Sequence, residues 1–382
     1  MVIGGYMRIL TAGESHGFAN SVIIEGFPAG VKIEDKYINA QLKRRMSGYG
    51  RGKRMDLESD TCAVISGLRN KFTLGSPIAL LIKNKDHRIL PQSDDAQPAL
   101  NVPRPAHADL AGALKYGTSD VRDILERASA RETTARVACG ALLRQFLEEF
   151  GVGIAGFTVS CGKVASKLAP ASIEEILGNT EGSWLNCIDS KAEKAMIKEI
   201  DRAQRNGDTL GGVIEVWAQG VCPGLGSHVH YDRRLDARLA MALMSIPAVK
   251  GVEIGLGFEY AGQYGSTSHD EIFYAKGKGF YHKTNHSGGI EGGMSNGEPI
   301  VARVAMKPIA TLKRPLRSVD LVSRKPQAAI VERSDTCALA ACSVIAESML
   351  AIVLTESFLE KFGGDCLSDI KASYAAYIKR IK

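Results

Sequence analysis

Residues 126–151 read ERASARETTARVACGALLRQFLEEFG, and this stretch predicts the central helix of the fold. Ser129, followed three residues later by Glu132, is a capping-box signature, so we expect a helix to begin at about Ser129. The body of the segment is rich in Ala, Leu and Arg, which favour helices. Gly151 is typical of the residue that follows a helix C-terminus.

The side chains of this predicted helix divide into two faces. Apolar side chains recur at helical spacing and predict a core-facing stripe: Val137, Ala138, Ala141, Leu142, Phe146 and Phe150. Arg136, Arg144 and Glu148 are predicted on the opposite side. Small residues such as Gly140 would let another element approach closely.

The start of this helix is the part that points to function. Free N–H groups and the positive end of the helix dipole would lie beside Arg127 and Arg131, a combination that suits an anion. The alternative is a capped core helix whose arginines lie at the surface. The stretch alone favours the second interpretation, because most capping boxes only cap.

The composition is that of a soluble globular protein with one large domain or two ordinary ones. Of 382 residues, 45% are hydrophobic and 24% charged, and the net charge of +6 suits acidic small molecules as well as nucleic acid. The eight cysteines include no CxxC pair, and no secretion signal is visible, so we expect a reducing, cytoplasmic location. The most apolar segment, 338–354, contains Glu347 and suits a buried helix better than a membrane span.

Two histidines lie in predicted loops. Residues 8–12 predict a strand, and the following GESHG segment, 13–17, places His16 in a loop, where catalytic side chains commonly occur. His107 lies in the RPAHAD segment, 104–109, in which Asp109 is near in sequence but need not orient the ring. Each histidine alone also has an ordinary interpretation, as a solvated or hydrogen-bonded side chain.

The only dense basic run is KRRMSGYGRGKR, residues 43–54. Its glycines disfavour a helix, so most of it is predicted to be a flexible loop. One interpretation is a solvated basic loop; another is that Arg45 and Arg51 hold an anionic substrate, because a guanidinium matches phosphate and carboxylate. A third is nucleic-acid contact. Tyr49 is the only aromatic residue in the run, which weakens the third interpretation.

Three other patterns could indicate binding sites, and each is compared with a purely structural explanation. The GVGIAG segment, 151–156, resembles a dinucleotide fingerprint, but it follows a helix and precedes a strand, so we reject it. His228 and His230 alternate onto one face, but we expect no metal there. The glycine-rich segment 285–294 is either a backbone cradle for a cofactor or a surface hairpin.

Polar residues near the C-terminal end complete the candidates. Lys307 and Thr311 follow a predicted strand and supply a cation and a hydroxyl. Asp335 precedes a long predicted helix, 337–362, and on its own is best interpreted as the N-cap of that helix.

Three segments together carry a family resemblance. GESHG at 13–17, RPAHAD at 104–109 and RASARET at 127–133 occur in this order and at a spacing that resembles chorismate synthase, the last enzyme of the shikimate pathway. The resemblance extends to about residue 360. Two positions depart from the family pattern: Ala106 stands where Gly is expected, and Pro247 stands where Asn is common.

The resemblance implies a reaction and a set of residues. 5-Enolpyruvylshikimate 3-phosphate would lose phosphate and a ring proton in a 1,4-trans elimination that needs reduced FMN without net redox change. The implied catalytic residues are His16, His107 and Asp335. The implied substrate-binding residues are Arg45, Arg51 and Arg131. The implied flavin contacts are Arg127, Ala128, Ser129, Ala248, Gly292, Lys307, Pro308, Ile309, Ala310, Thr311 and Arg333.

The resemblance also implies the architecture and the partners. We expect an α+β sandwich in which long helices pack between antiparallel sheets, as a single domain over 1–382 with a leader at 1–6 and a C-terminal tail at 365–382. A homotetramer and an external flavin reductase, with NADPH as a candidate external reductant, follow from the family. We expect neither nucleic acid nor membrane as a partner. The rival functions are a basic nucleic-acid-binding protein and a true redox flavoprotein.

Overall fold

The computed structural model describes residues 7–52, 60–87, 98–332 and 334–381. The strands described are β1 (Arg8–Ala12), β2 (Ala19–Glu25), β3 (Cys62–Ser66), β4 (Leu68–Arg69), β5 (Phe72–Thr73), β6 (Ile78–Lys83), β7 (Gly153–Cys161), β8 (Val164–Ala165), β9 (Gly212–Gln219), β10 (Val249–Ile254), β11 (Ile272–Ala275), β12 (Gly279–His282), β13 (Ile290–Glu291), β14 (Met294–Ser295), β15 (Ile300–Met306), β16 (Arg317–Val319) and β17 (Pro326–Ala328).

The helices lie within the same described ranges. They are α1 (Asp35–Met46), α2 (Asp109–Tyr116), α3 (Arg122–Ala128), α4 (Thr133–Glu148), α5 (Ile173–Thr180), α6 (Ser190–Arg205), α7 (Leu235–Met244), α8 (Gly265–Ser268), α9 (Leu339–Phe362) and α10 (Leu367–Ile381). Single 3-10 turns occur at Ala130–Glu132, Tyr231–Arg233 and Gly257–Gly262.

Two antiparallel sheets enclose the long helices. One sheet has the strand order β1-β2-β6-β3 and the other β10-β15-β9-β7-β8. Helix α4 packs against the first sheet, α9 packs against β7 and β9 of the second, and the two helices pack on each other. The predicted sandwich of helices between antiparallel sheets is confirmed.

The four-stranded sheet is apolar on both faces. Its inner face buries side chains such as Val22, Ile24 and Leu80 under the helices. Its outer face exposes 54% of Leu10, 46% of Ile23 and 60% of Ile65, and Leu10 is directly opposite Ile23 in the strand register. Large apolar side chains grouped on one exposed face are typical of a surface that contacts another protein.

Helix α4 begins later than predicted and ends where predicted. Ser129 caps the 3-10 turn Ala130–Glu132 by accepting a hydrogen bond from the Arg131 N–H, and the α-helix starts only at Thr133. The predicted start at Ser129 is therefore wrong by four residues. Gly151 adopts φ +77°, as expected after a helix end. Strand β7 begins at Gly153, so residues 151–156 lead into a strand and do not open a helix.

The prediction that Arg144 lies opposite the core face is wrong. Helix α4 is buried on nearly all sides, because α9 and two sheets surround it. Arg144 donates to the Glu347 carboxylate of α9 at 2.7 Å, and Arg44 of α1 donates to the same carboxylate at 2.7 Å. The Gly156 N–H of β7 also donates to Glu347. Burial opposes ionisation, but these donors hold the pKa of Glu347 below its ordinary value.

Helices α4 and α9 approach closely, as the small residues predict. A Cβ on Gly140 would collide with Ser348 of α9. Helix α9 is long and apolar enough to span a membrane, but 89% of its most apolar window is buried inside the protein. It is therefore packed as the central core helix.

The basic run and the C-terminal segment are more ordered than predicted. Residues 43–46 form the last turn of α1, so the loop within the run begins only at Ser47. Residues 53 and 54 lie outside the described ranges. Within the predicted tail, α10 packs its Tyr374 ring on Phe358 and Phe362 of α9.

Candidate active site

The loop that carries His16 is held from two sides. Gly13 adopts φ +118°, and a Cβ there would collide with the Ala19 carbonyl, so the turn requires glycine. Asn84, just after β6, donates to the carbonyl oxygens of Glu14 (3.1 Å) and Gly17 (2.7 Å). On the other side, the Ser15 N–H donates to the carbonyl oxygen of Glu126 at 2.9 Å. The predicted loop position of His16 is confirmed.

Glu126, in the last turn of α3, binds His16 directly. One carboxylate oxygen accepts the His16 backbone N–H at 2.8 Å, and the other lies 2.8 Å from ring Nδ1. The Glu126 side chain is 9% exposed and the His16 side chain 25%. Sequence reasoning missed Glu126, because a contact across 110 residues leaves no local pattern.

Arg127 is committed to the same loop. Its guanidinium donates to the Gly13 carbonyl at 2.9 Å and to the carbonyl and hydroxyl oxygens of Thr11 at 3.0 and 2.9 Å. Ala128 and Ser129 follow it at the end of α3. The side chain expected to contact flavin therefore anchors the His16 loop to β1.

Two of the predicted substrate arginines share one carboxylate. Arg131 lies 2.7 Å from Asp60, and Arg45 lies 3.6 Å from the other oxygen of the same group. Arg131 also donates to Asn84 at 2.8 Å, which links this cluster to the His16 loop. Arg45 donates to the Thr133 hydroxyl at the start of α4. Burial lowers the pKa of Arg45 to about 10, although the nearby Asp60 opposes this effect.

The third predicted arginine pairs with Asp335. Arg51 lies 2.8 Å from one Asp335 oxygen, and the Gly52 N–H donates to the other at 2.6 Å. Asp335 also acts electrostatically on Arg45, so this pair lies beside the Asp60 cluster. The interpretation of Asp335 as a helix N-cap is wrong: α9 has Ala338 at its N-cap position and no side-chain cap.

His107 is also held by a carboxylate. Its Nδ1 lies 2.5 Å from Asp109, although the spacing alone did not require this contact. Arg104 donates to Asp109 through both its backbone N–H (3.0 Å) and its Nε (2.8 Å). Burial favours the neutral acid, but hydrogen bonds from His107 and Arg104 outweigh it and hold the pKa of Asp109 well below its ordinary value.

The backbone at the His107 turn departs from the usual range. Ala106 adopts φ +61°, a left-handed conformation that favours glycine, the residue expected there from the resemblance. Lys307, just after β15, donates to the Ala106 carbonyl. Burial and the neighbouring Lys250 lower the pKa of Lys307.

Arg104 connects the His107 turn to the Asp335 segment. It donates to the Thr311 hydroxyl and to the Glu332 carboxylate, both at 3.0 Å. The Ser334 hydroxyl in turn donates to the Thr311 carbonyl at 2.9 Å. Glu332 and Ser334 therefore contact the His107 cluster, and Asp335 contacts Arg51.

The remaining flavin candidates fall into separate places. Ala248 adopts φ +71°, and its carbonyl accepts the Lys307 N–H at 2.9 Å. Pro308, Ile309 and Ala310 connect Lys307 to Thr311, and the Ile309 carbonyl accepts the Thr209 hydroxyl at 2.8 Å. Arg333 lies outside the described residues.

Gly292 lies away from this group. It lines a cavity of about 480 Å³ together with Ile254, Asp270 and Glu291. Ile254 is the last residue of β10, whereas Ala248 precedes the first, so the two residues are separated by roughly 20 Å of extended chain. Gly292 also joins β13 and β14, so segment 285–294 does contain a hairpin.

The described residues offer a donor set that suits anions. Nη1 of the buried Arg45 pairs with Asp60 only at 3.6 Å, longer than a hydrogen bond, and guanidinium groups match the oxygens of phosphate and carboxylate. Lys307, Arg104 and Thr311 add a second cationic and hydroxyl-bearing group, which suits the phosphate of a flavin nucleotide. No cluster of ligating side chains that could hold a metal occurs in the part of the chain that the structure describes. His230, one of the two histidines weighed for metal, pairs with Asp232 at 2.6 Å.

Comparisons with known proteins all lead to one family. The family model described as chorismate synthase matches residues 7–359. A chorismate synthase of Desulforudis audaxviator is 54% identical over 383 residues, which cover 98% of each chain. One from Moorella thermoacetica is 53% identical over 377 residues, covering 97% of this chain and 98% of the other. A crystal structure of chorismate synthase superimposes with a TM-score of 0.81 at 42% identity, covering 99% of this chain and 98% of the other.

Matches of this length and identity establish both the family and the reaction. The chain is a lyase of the shikimate pathway that converts 5-enolpyruvylshikimate 3-phosphate to chorismate, and its family uses reduced FMN. Full-length similarity and the two histidine clusters thus lead to one conclusion: the chain belongs to the chorismate synthase family.

Proposed function

We propose that His16, His107 and Asp335 carry the proton transfers of this elimination. The observation that supports the proposal is a chain of contacts that joins the three segments. The His16 loop is linked through Asn84 to the shared Asp60 cluster. The charge of Asp335 acts on Arg45 of that cluster, and its neighbours Glu332 and Ser334 bind Arg104 and Thr311 at the His107 turn.

The proposed role of the arginines follows from the charges of the substrate. 5-Enolpyruvylshikimate 3-phosphate carries one phosphate and two carboxylates, which need cationic donors in a site with little water. Arg45, Arg51 and Arg131 supply three guanidinium groups, while Asp60 and Asp335 offset part of their charge. Binding of the substrate would therefore redistribute donors that already have carboxylate partners.

The histidines suit the proton transfers because imidazole titrates near neutral pH. Each has Nδ1 on a carboxylate, which leaves Nε2 as the nitrogen for chemistry. Between them, the two histidines would serve the proton transfers at the leaving phosphate and at the flavin. Asp335, held as a carboxylate acceptor by Arg51 and the Gly52 N–H, would accept the ring proton.

We propose that the flavin phosphate and ring are held by residues from several segments. They are Arg127, Ala128, Ser129, Ala248, Lys307, Pro308, Ile309, Ala310, Thr311 and Arg333. Arg127 would contribute mainly by fixing the His16 loop, since its guanidinium already has three acceptors there. The chemistry that bound reduced FMN supplies is a transient donation of electron density without net redox change.

The test is an anaerobic assay with FMN, dithionite and the enolpyruvyl substrate, followed by chorismate absorbance. His16→Ala and His107→Ala should each lower turnover by about 10²-fold or more, a typical general acid–base contribution. His230→Ala is the matched control, because His230 also pairs with a carboxylate but is 57% exposed. Full turnover in either active-site variant would refute the role assigned to that histidine.

We also propose a homotetramer that uses the outer face of the four-stranded sheet. Exposed Leu10, Ile23 and Ile65 support this assignment, because their burial would stabilise association. Gly292 is kept as a proposed flavin contact; since it lies at the far end of β10 from Ala248, it would reach a flavin held by a neighbouring copy.

Sedimentation of a Leu10→Glu/Ile23→Glu variant tests this assembly. We expect it to dissociate and to bind FMN less tightly. Leu177→Glu on α5, where the leucine is 47% exposed, is the control that should stay assembled. A dissociated variant with unchanged flavin affinity would exclude the contact from a neighbouring copy.

We further propose a cytoplasmic enzyme that receives reduced flavin from an external reductase, with NADPH as the ultimate reductant. All eight cysteines are free thiols, which suits a reducing compartment. Anaerobic NADPH and FMN without a reductase should give no chorismate, and addition of a flavin reductase should start the reaction. Turnover with NADPH and FMN alone would show that the chain reduces its own flavin.

A further inference from the structure

We propose that Glu126 is a positioning residue for His16, which fixes the tautomer of the ring so that Nε2 is the nitrogen that exchanges protons. This inference rests on the proposed role of His16 in turnover. Glu126 has no assigned part in the reaction, and its contact with His16 joins residues 110 positions apart.

The Glu126 carboxylate binds His16 at two points. One Glu126 oxygen accepts the His16 backbone N–H and the other meets ring Nδ1, both at 2.8 Å. The ring therefore cannot turn about its side-chain bonds without losing a hydrogen bond to a nearly buried carboxylate. Leaving such a carboxylate without a partner is costly.

The chemistry of the two groups sets the tautomer. An ionised carboxylate only accepts hydrogen bonds, so the neutral imidazole must carry its proton on Nδ1. The lone pair then lies on Nε2, which alternates between base and acid. Among the described residues, the charged groups around the loop include Glu14 within it, Arg127 of α3, and Arg131, which reaches it through Asn84.

The ring contact exceeds what the loop needs for its shape. Arg127 already binds Gly13, Asn84 binds Glu14 and Gly17, and the Glu126 backbone binds Ser15. Together with the Glu126 oxygen that accepts the His16 N–H, these contacts hold the loop backbone. The other Glu126 oxygen therefore acts chiefly on the orientation and protonation of one ring.

The decisive experiment compares Glu126→Gln and Glu126→Asp with the unsubstituted enzyme, all as full-length chains. In ¹⁵N NMR of histidine-labelled protein, with His16 assigned through His16→Ala, the parent should show the Nδ1–H tautomer. Glu126→Gln should mix the tautomers and lower kcat about tenfold or more, with KM little changed, as loss of a ring-orienting partner commonly does. Glu126→Asp keeps the charge and should restore part of the Nδ1–H tautomer signal and part of kcat.

Glu132→Gln is the matched control. Glu132 is a buried carboxylate of the same segment, but it pairs with Arg136 at 3.0 Å, so its loss should leave the His16 tautomer unchanged. Near-ultraviolet circular dichroism of each variant confirms that it is folded. If Glu126→Gln destabilises the chain, Glu126→Asp alone still tests the tautomer.

Two results would overturn the proposal: an Nε2–H tautomer in the parent, or full kcat in Glu126→Gln after the tautomer has changed. A different result concerns the role of His16 itself. If His16→Ala keeps full turnover, the catalytic assignment fails, whereas the NMR signal still reports whether Glu126 sets the tautomer.

Discussion

Two histidine–carboxylate pairs lie at the candidate site, and the chain assembles them in different ways. Asp109 is two residues from His107, and Arg104 binds the same carboxylate. Glu126 is 110 residues from His16 and reaches it only because α3 packs beside the 13–17 loop. The first pair belongs to one turn, whereas the second depends on the tertiary fold. The same ring–carboxylate contact can therefore be built locally or over a long range.

A third pair shows what burial adds to the local arrangement. His230 and Asp232 have the same spacing as His107 and Asp109, and their Nδ1–oxygen distance of 2.6 Å is similar. However, their side chains are 57% and 44% exposed, against 19% and 0% at the candidate site. Spacing creates the contact in both places, and burial makes it energetically significant.

The largest expected effect comes from removing the buried charge. Asp109→Asn leaves the guanidinium of Arg104, whose side chain is 6% exposed, with a weaker partner. We expect the free energy of unfolding to fall by about 3–5 kcal/mol, measured by urea denaturation. Asp232→Asn is the matched control at the exposed pair and should cost far less, because solvent screens that pair. Equal losses in the two variants would show that burial does not distinguish the pairs.

A smaller effect on stability, limited to acidic pH, is expected when Asp270 is replaced. In the described parts of the chain, no histidine ring nitrogen lies within hydrogen-bond distance of this carboxylate. Burial favours the neutral acid, but donors from Thr284, Ser287 and His286 lower its pKa to about 2. Because the folded-state pKa lies below the unfolded value, this carboxylate stabilises the fold above about pH 4, and the contribution is lost as pH falls toward 2.

Asp270→Asn should therefore flatten the decline of unfolding free energy between about pH 4 and 2. Thermal denaturation across that range measures the slope. Asp369→Asn, at an exposed carboxylate of α10, should leave the decline in place. An unchanged slope in Asp270→Asn would mean that the hydrogen bonds do not favour the ionised form.

The smallest expected effect concerns the turn beneath His107. Ala106 holds φ +61°, which costs a residue with a Cβ about 1 kcal/mol. Ala106→Gly should raise the free energy of unfolding by about that amount, measured by thermal denaturation. Ala111→Gly, at an exposed position inside α2, should change stability by a similar amount in the opposite direction. A loss of stability in Ala106→Gly would indicate that the methyl group packs favourably.

Local features of the chain could be predicted, and long-range electrostatic contacts could not. The β1–loop transition places His16 where expected, and Gly151 ends α4 as its position indicates. Ser129 caps a 3-10 turn instead of an α-helix, because capping chemistry does not specify how the next turn winds. Asp335 looked like an N-cap since Arg51, its actual partner, is remote in sequence.

The same limit applies to buried charge. Arg144 was predicted opposite the apolar stripe because periodicity treats every arginine as solvent-facing, and only the fold brings Glu347 to it. Asp60 and Asn84 were not predicted as site residues for the same reason, although they join the predicted arginines to the His16 loop. The family motifs supplied the proposed reacting groups, whereas the residues that hold them came only from the structure.

The carboxylate of Glu347 has a consequence for how the layers can move. Apolar surfaces alone resist separation but allow neighbouring helices to slide by small steps. Here one buried charge on α9 is bound at once from α1, α4 and β7, so axial displacement of any of them would break an ion pair or hydrogen bond. Arg45 follows Arg44 on α1, and its position beside Asp60 and Thr133 is therefore set by a group on a different helix.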